Sequence, residues 1–116
     1  IIKDRILIIK EHSKYAINHP NDIDNIIRHL KHTCHALDPK LVKERPMPAG
    51  ETGLNQILKD IEKENSLIKK IKNVSSNSID KCITYLYSWE KSKELLETAI
   101  YINSQFEDLY KELERN

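Results

Sequence analysis

Apolar residues recur every three or four positions along most of the chain, which is the spacing of an amphipathic α-helix. This pattern predicts a first helix over residues 2–18, which ends before Pro20 because proline lacks a backbone donor. A second helix is predicted over residues 22–37, after Asn21 or Asp22, since either residue is a good N-cap. Its apolar positions fall within a band of about 100° around the helix. They are Ile23, Ile26, Ile27, Leu30, Cys34 and Leu37.

The second half of the chain predicts two more helices, over residues 53–73 and 78–115, separated by the polar cluster NVSSNS. Asn65 interrupts the stripe of the first of these, either as a buried residue that sets register or at the edge of the stripe. The last helix contains no Pro or Gly and has the length of a coiled-coil segment, with a break near residues 103–105 as the alternative. One row has heptad spacing: Cys82, Leu86, Trp89, Lys93, Leu96, Ile100, Asn103, Glu107 and Tyr110. Two further rows are Leu95, Ile102 and Leu109, and Ala99, Phe106 and Leu113.

These patterns predict an all-α fold, an antiparallel four-helix bundle with a long C-terminal helix, in one domain over residues 1–116. Strand-like alternation is absent from the sequence, and the length suits a single domain. The irregular segment 38–53 is expected to join two helical hairpins. Because the first residue is Ile1 rather than Met, we expect a domain excised from a longer protein.

The balanced composition narrows the classes of partner. The chain has 19 basic and 18 acidic residues and a formal net charge of +1, so a dedicated nucleic-acid surface is not expected. No apolar run is long enough to span a membrane, and no signal peptide is recognisable, so we expect an intracellular protein without a membrane partner. The two cysteines, Cys34 and Cys82, lie at apolar positions and are expected to be reduced core residues.

The stretch RHLKHTCH, residues 28–35, carries the main candidate chemistry. His29, His32 and His35 project opposite the apolar stripe of their helix, on its polar face. Neutral imidazoles bind zinc, nickel or copper, and neighbours three residues apart can converge on one ion. At most two adjacent histidines of this ladder can share an ion, so a metal site at His29 and His32 would need a further ligand. Candidates are His12, His19 or a carboxylate.

The same stretch resembles two helical families. Arg28 and His35 match the R-x4-6-H motif of HEPN ribonucleases and lie on one helix face, which implies His35 as general base and Arg28 as phosphate clamp. The motif usually comes late in that family's domain and is early here. "HLKH" is similar to the H-x-L-K-G setting of phosphotransfer domains, but His32 replaces the small residue that leaves room around the phosphoacceptor ring.

The function favoured by the sequence is a non-enzymatic helical protein–protein interaction module without a cofactor. Other catalytic motifs are absent, and the last helix has more apolar rows than one seam requires. Its partner would be another protein or a second copy of the chain. The predicted contact residues are Ile102, Phe106, Leu109, Tyr110 and Leu113. The alternatives are the HEPN-like ribonuclease, the histidine metal site, and a small inhibitor or immunity-type bundle.

Overall fold

The computed structural model describes residues 1–42, 52–87 and 92–115, and these residues form helices and connections without a strand. The all-α prediction is therefore confirmed for this part of the chain. The described elements are α1 (Ile2–Asn18), α2 (Ile23–Leu37), a 3-10 helix (Pro39–Leu41), α3 (Leu54–Lys59), α4 (Ser66–Tyr85) and α5 (Ser92–Arg115). Five α-helices thus stand where the sequence predicted four. None of the helices described is both long and apolar enough to cross a membrane.

The first two helices end where local signals predicted. The Asp22 side chain accepts a hydrogen bond from the backbone N–H of Asn25 at 3.1 Å and so caps the start of α2. The bounds of α1 agree with the predicted 2–18, and those of α2 agree with 22–37 to within one residue. In this region the turn and cap residues alone define where helix can form.

The prediction of one helix over residues 53–73 is wrong, because α3 ends at Lys59 and α4 begins only at Ser66. Asn65 is the N-cap of α4, and its side chain accepts from the backbone N–H of Ile68 at 2.8 Å. It is exposed, so it neither sets register in the core nor interrupts a stripe. A cap at this position starts a new helix, because it satisfies a donor that would otherwise lack a partner.

The polar cluster NVSSNS is also not a turn, because residues 73–78 lie inside α4. Val74, Ser75 and Ser78 are buried there. Serine is only weakly unfavourable in a helix and the cluster contains no Pro or Gly, so packing overrides the local preference. The continuous helix predicted over 78–115 is accordingly divided between α4 and α5.

The buried side of α5 is formed largely by the two secondary rows of the sequence pattern, together with Asn103 of the predicted heptad seam. Lys93 and Ile100 of that seam are exposed, and Trp89 lies outside the described residues. The helix runs without a break through residues 103–105. The fully buried positions are Leu95, Ala99, Ile102, Phe106 and Leu109.

Helix α1 packs most extensively against α2 and α5. Lys3 Nζ lies 3.1 Å from Glu114 Oε2, and the Asn103 amide donates to the Lys10 carbonyl at 2.9 Å, so α1 and α5 run antiparallel. The Asn103 amide also lies 3.2 Å from Ser13 Oγ inside this interface. Asn103, which looked like a defect in an apolar seam, is a buried polar tie between the two helices.

Helices α4 and α5 are antiparallel as well. Lys70 Nζ lies 2.9 Å from Glu112 Oε1 near the start of α4, and Lys81 Nζ lies 4.7 Å from the ring centre of Tyr101 near its end. The exposed ion pair stabilises the fold only weakly. The two contacts together show that α4 and α5 run in opposite directions.

Cys34 and Cys82 are both buried and form a disulfide, with their Cα atoms 6.0 Å apart. The burial predicted from their apolar positions is confirmed, but the expectation of reduced thiols is wrong. Sequence position does not show that α2 and α4 bring these two thiols together. The disulfide joins these helices covalently across 48 residues.

Part of the segment predicted as the 38–53 loop is ordered against α2 and α3, and residues 43–51 lie outside the described part of the chain. The Asp38 carboxylate accepts from the backbone N–H of Lys40 and from the Gln56 side chain. A Cβ on Gly53 would lie 2.7 Å from the Leu37 carbonyl oxygen. Glycine is required at this close approach because any side chain would push α3 away from the end of α2.

Candidate metal centre

The α1–α2 hairpin places three histidines opposite one another. Its chain reversal around Pro20 and Asn21 pairs residues that are about equally distant from the turn along the two helices. The Asn25 side-chain amide donates to the Tyr15 carbonyl at 3.0 Å and ties the helices together at this level. One turn further from the loop, His12 of α1 faces His29 and His32 of α2.

The imidazoles of His12, His29 and His32 form a compact cluster. Each offers one nitrogen, and these three nitrogens lie within 4.8 Å of one another. The Nδ1 atoms of His12 and His32 are 3.2 Å apart. The ring centres are 4.9 Å apart for His12 and His32, 5.7 Å for His12 and His29, and 5.6 Å for His29 and His32.

These distances can be compared with the geometry of a bound ion. Two nitrogens that each lie 2.0–2.1 Å from a tetrahedral zinc ion are about 3.4 Å apart. The His12–His32 pair has this separation within a few tenths of an ångström. The His29 nitrogen lies within 4.8 Å of the other two, so a movement of no more than about 1.4 Å brings it to the same separation.

Electrostatics keeps the cluster in the form that binds metals. Burial lowers the pKa of His12 to about 4, with further contributions from His32 and His29. Burial and then the Arg28 guanidinium lower the pKa of both His29 and His32. Neutral imidazole is the ligand form, so near pH 7 the three rings need not release a proton to accept an ion.

The donor set also restricts the type of ion. Within the described part of the chain, the cluster contains histidines only, with no cysteine or carboxylate among its potential ligands. Imidazoles suit zinc, copper, nickel and ferrous iron, whereas calcium and magnesium prefer oxygen ligands. The arrangement therefore fits a first-row transition metal.

One nitrogen of the cluster lacks a protein partner. Nδ1 of His29 is buried, and no hydrogen-bonding atom of the described residues reaches it. Buried polar atoms are almost always hydrogen-bonded or ligated. An ion would satisfy this nitrogen if the ring turns Nδ1 toward the centre of the cluster.

His35, the third member of the predicted ladder, is not part of the centre. Its side chain is buried, with only 5% of its surface exposed, so its predicted place on the solvated face is wrong. The reason is that α2 packs against α1, α3, α4 and α5, which leaves little of its circumference in solvent. Burial lowers the pKa of His35, while Asp38 acts in the opposite direction.

The HEPN-like pair is not assembled as the resemblance implied. Arg28 is exposed and donates from Nη2 to the Asn25 side-chain oxygen at 3.3 Å. His35 lies about two turns away along α2 and is enclosed by the fold, so both groups cannot contact one phosphate at the surface. The ribonuclease stays a hypothesis that the structure does not test.

The residues predicted to bind a partner are buried or partly buried in the fold. Ile102, Phe106 and Leu109 are completely buried, and Tyr110 and Leu113 are partly buried against the same core. The extra apolar rows of α5 are covered by the chain itself, chiefly by α1. The first three residues therefore cannot contact a partner while the domain is folded.

The sequence pattern did not single out His12, which was only one of several candidates for a third ligand. The signal that selects it is the hairpin. With the reversal at Pro20 and Asn21, position 12 lies across from positions 29 and 30, whereas His19 lies beside the turn and outside the cluster. A comparison of how far each histidine lies from the turn along its helix would have selected His12 over His19.

Comparisons of the chain with protein-family models, with curated proteins and with solved structures give no match.

Proposed function

We propose that this chain is a metal-binding helical domain that holds one transition-metal ion, with zinc as the reference ion, through His12, His29 and His32. The observation that carries the proposal is the convergence of three imidazole nitrogens within 4.8 Å from two different helices. Their lowered pKa values support it, since neutral rings can bind an ion without net release of a proton.

A bound ion would connect α1 to α2 on the outer side of their interface. Two ligands come from one helix at positions i and i+3, and the third comes from the facing helix, so binding requires the folded hairpin. An ion that binds only the folded state at a free concentration 100-fold above its Kd stabilises that state by about 2.7 kcal/mol.

The experiment is native mass spectrometry of the purified chain with and without zinc, together with calorimetric titration. We expect one zinc per chain and loss of this ion in His12→Ala, His29→Ala and His32→Ala. His19→Ala is the matched control, because this exposed histidine lies on the same hairpin outside the cluster. Retention of the ion in all three variants, or its equal loss in the control, would contradict the proposal.

The metal-free explanation of the cluster is a hydrogen bond from Nδ1–H of one ring to Nδ1 of the other across the 3.2 Å gap between His12 and His32. Metal binding needs both nitrogens free of protons, so the two states exclude each other. Absence of zinc uptake by the wild-type chain would favour this hydrogen bond.

The disulfide is relevant to the cellular compartment in which such a domain would function. Disulfides persist in oxidising compartments and are rare in the cytosol. A paired Cys34 and Cys82 therefore favour an extracytoplasmic or secreted setting over the intracellular location expected from the sequence. Measurement of the thiol content of the protein isolated from its own host would test this.

The interaction-module function and the inhibitor or immunity-type alternative stay predictions. Three of their five predicted contact residues, Ile102, Phe106 and Leu109, are completely buried, which leaves Tyr110 and Leu113 partly exposed. Copurification of a stable partner with a metal-free chain would return them to first place.

A further inference from the structure

The proposed metal centre has three protein ligands, which is one fewer than a tetrahedral zinc ion requires. Closed structural zinc sites use four protein ligands, whereas sites with three keep a position for water or another ligand. In residues 1–42, 52–87 and 92–115, no fourth histidine, cysteine or carboxylate belongs to the cluster. The three histidines are only half-buried, so the remaining position can be reached from solvent.

Arg28 lies next to two of the three proposed ligands along α2. It directly precedes His29 and lies one turn before His32, and residues at i and i+4 are neighbours on a helix surface. Its side chain is exposed. An anion that lies between this cation and a metal ion would offset the repulsion between them.

The side chain of Arg28 is also oriented by its neighbours. Asn25 accepts from Arg28 Nη2 with its side-chain oxygen and donates to the Tyr15 carbonyl with its amide nitrogen. This chain of hydrogen bonds anchors the guanidinium to both helices while leaving further N–H donors exposed. An arginine presents five donors in a planar fork that matches carboxylate and phosphate oxygens.

We propose that the open position of the metal takes an oxygen of a small oxyanion, a carboxylate or phosphate, while Arg28 donates to a second oxygen of the same anion. This inference rests on the proposed metal site. The metal ion and the guanidinium together supply the positive charge, and the half-buried rim of the cluster limits the ligand to a small group. Tyr15 forms part of this rim, since its ring lies edge-on to His12 and His29 with centres 5.2 and 5.3 Å apart.

The test uses the full chain loaded with Co2+, whose visible absorption reports its coordination sphere. Acetate and inorganic phosphate are titrated separately into the loaded protein. We expect a saturable spectral change with at least one anion. In Arg28→Met, we expect at least tenfold weaker anion binding, while Co2+ still binds with unchanged or slightly higher affinity because a nearby positive charge is removed. Lys59→Met, which removes an exposed cation at the end of α3, outside the α1–α2 hairpin, should behave like the wild type.

The outcomes separate the two levels of the proposal. If Co2+ binds in a 1:1 ratio but neither anion changes the spectrum, the anion site is overturned and the metal site stands. If Arg28→Met binds the anions as tightly as the wild type, the role of Arg28 is overturned. If loading with Co2+ converts the chain to a dimer in sedimentation experiments, a side chain of a second copy fills the position and the free-anion proposal fails. If Co2+ does not bind, the metal site itself is refuted.

Discussion

The α1–α2 pair and the α4–α5 pair are both antiparallel, but they are held together differently. α1 and α2 follow each other through a short turn and pack along much of their length, whereas α4 makes fewer contacts with α5 and is joined to α2 by the disulfide. The first pair carries the histidine centre on its outer side. The second pair is attached to the rest of the fold mainly through buried apolar residues and one covalent bond. A perturbation of the shared core should therefore affect both pairs, whereas a perturbation of the disulfide or of the histidine cluster should affect them unequally.

The largest effects are expected from substitutions of Phe106 in α5, of which Phe106→Ala is the milder. Phe106 is completely buried, and truncating a buried Phe costs about 3–5 kcal/mol of unfolding free energy. Because α5 packs on α1 as well as α4, both pairs should lose stability together in denaturant unfolding followed by circular dichroism. The control is Ile83→Ala, which truncates a side chain that is 65% exposed and should cost less than about 0.5 kcal/mol.

A charge at the same position separates core from docking surface. Phe106→Asp should unfold the domain, since a buried unpaired carboxylate is strongly unfavourable. A variant that stays as stable as the wild type while losing self-association would instead restore the docking surface first predicted for α5.

Removal of the disulfide should be the next largest effect and should separate the pairs. Loss of a cross-link across 48 residues is expected to cost about 4 kcal/mol, because the unfolded chain regains conformational entropy. In the double variant Cys34→Ala and Cys82→Ala, amide hydrogen exchange should increase more in α4 than in α1. A reductant should destabilise the wild type and leave this double variant unchanged. Equal loosening of all helices would contradict the unequal attachment of the two pairs.

The polar tie between α1 and α5 should have a smaller effect. Asn103→Ala removes the donor to the Lys10 carbonyl and to Ser13 Oγ, and a buried hydrogen bond of this kind contributes about 1–2 kcal/mol. Asn77→Ala changes an exposed asparagine in α4 and should be nearly neutral. The difference between the urea midpoints of unfolding of the two variants measures how much the Asn103 hydrogen bonds stabilise the fold. A neutral Asn103→Ala would mean that the interface does not depend on it.

The last expected effect is the pH dependence of the metal-free protein, which arises chiefly from the histidines of the first pair. The unfolded chain protonates His12 near its ordinary pKa of 6.5, whereas the folded chain does so only near a pKa of about 4. The unfolded state therefore binds more protons between these values, and the free energy of unfolding should decrease as the pH falls from 6.5 to 4. His29 and His32 act in the same direction.

The corresponding variant should flatten this dependence. His12→Gln removes the titrating group, so thermal unfolding should vary less with pH than in the wild type. A slope of the opposite sign would mean that the histidine cluster gains a stabilising anionic partner on protonation.

The ends of α1 and α2 could be predicted because single residues determine them. Pro20 cannot continue a helix, and the Asp22 side chain supplies the first acceptor of the next one. The same local chemistry misled in the second half. Asn65 looked like an interruption and is a cap, and the NVSSNS cluster looked like a turn and is helical. Asparagine and serine have both uses, and only packing chooses between them.

By itself, the sequence determined the helical class, the first hairpin, the apolar stripes and a histidine-rich face, because these depend on periodicity and on residues next to one another in the chain. Only the tertiary structure decided which histidine completes the cluster, that Cys34 reaches Cys82, and that the apolar rows of α5 are core rather than docking surface. These properties depend on which helices lie side by side. A helix shows its apolar face in its own sequence, but the partner that covers this face is set by the packing of the whole chain.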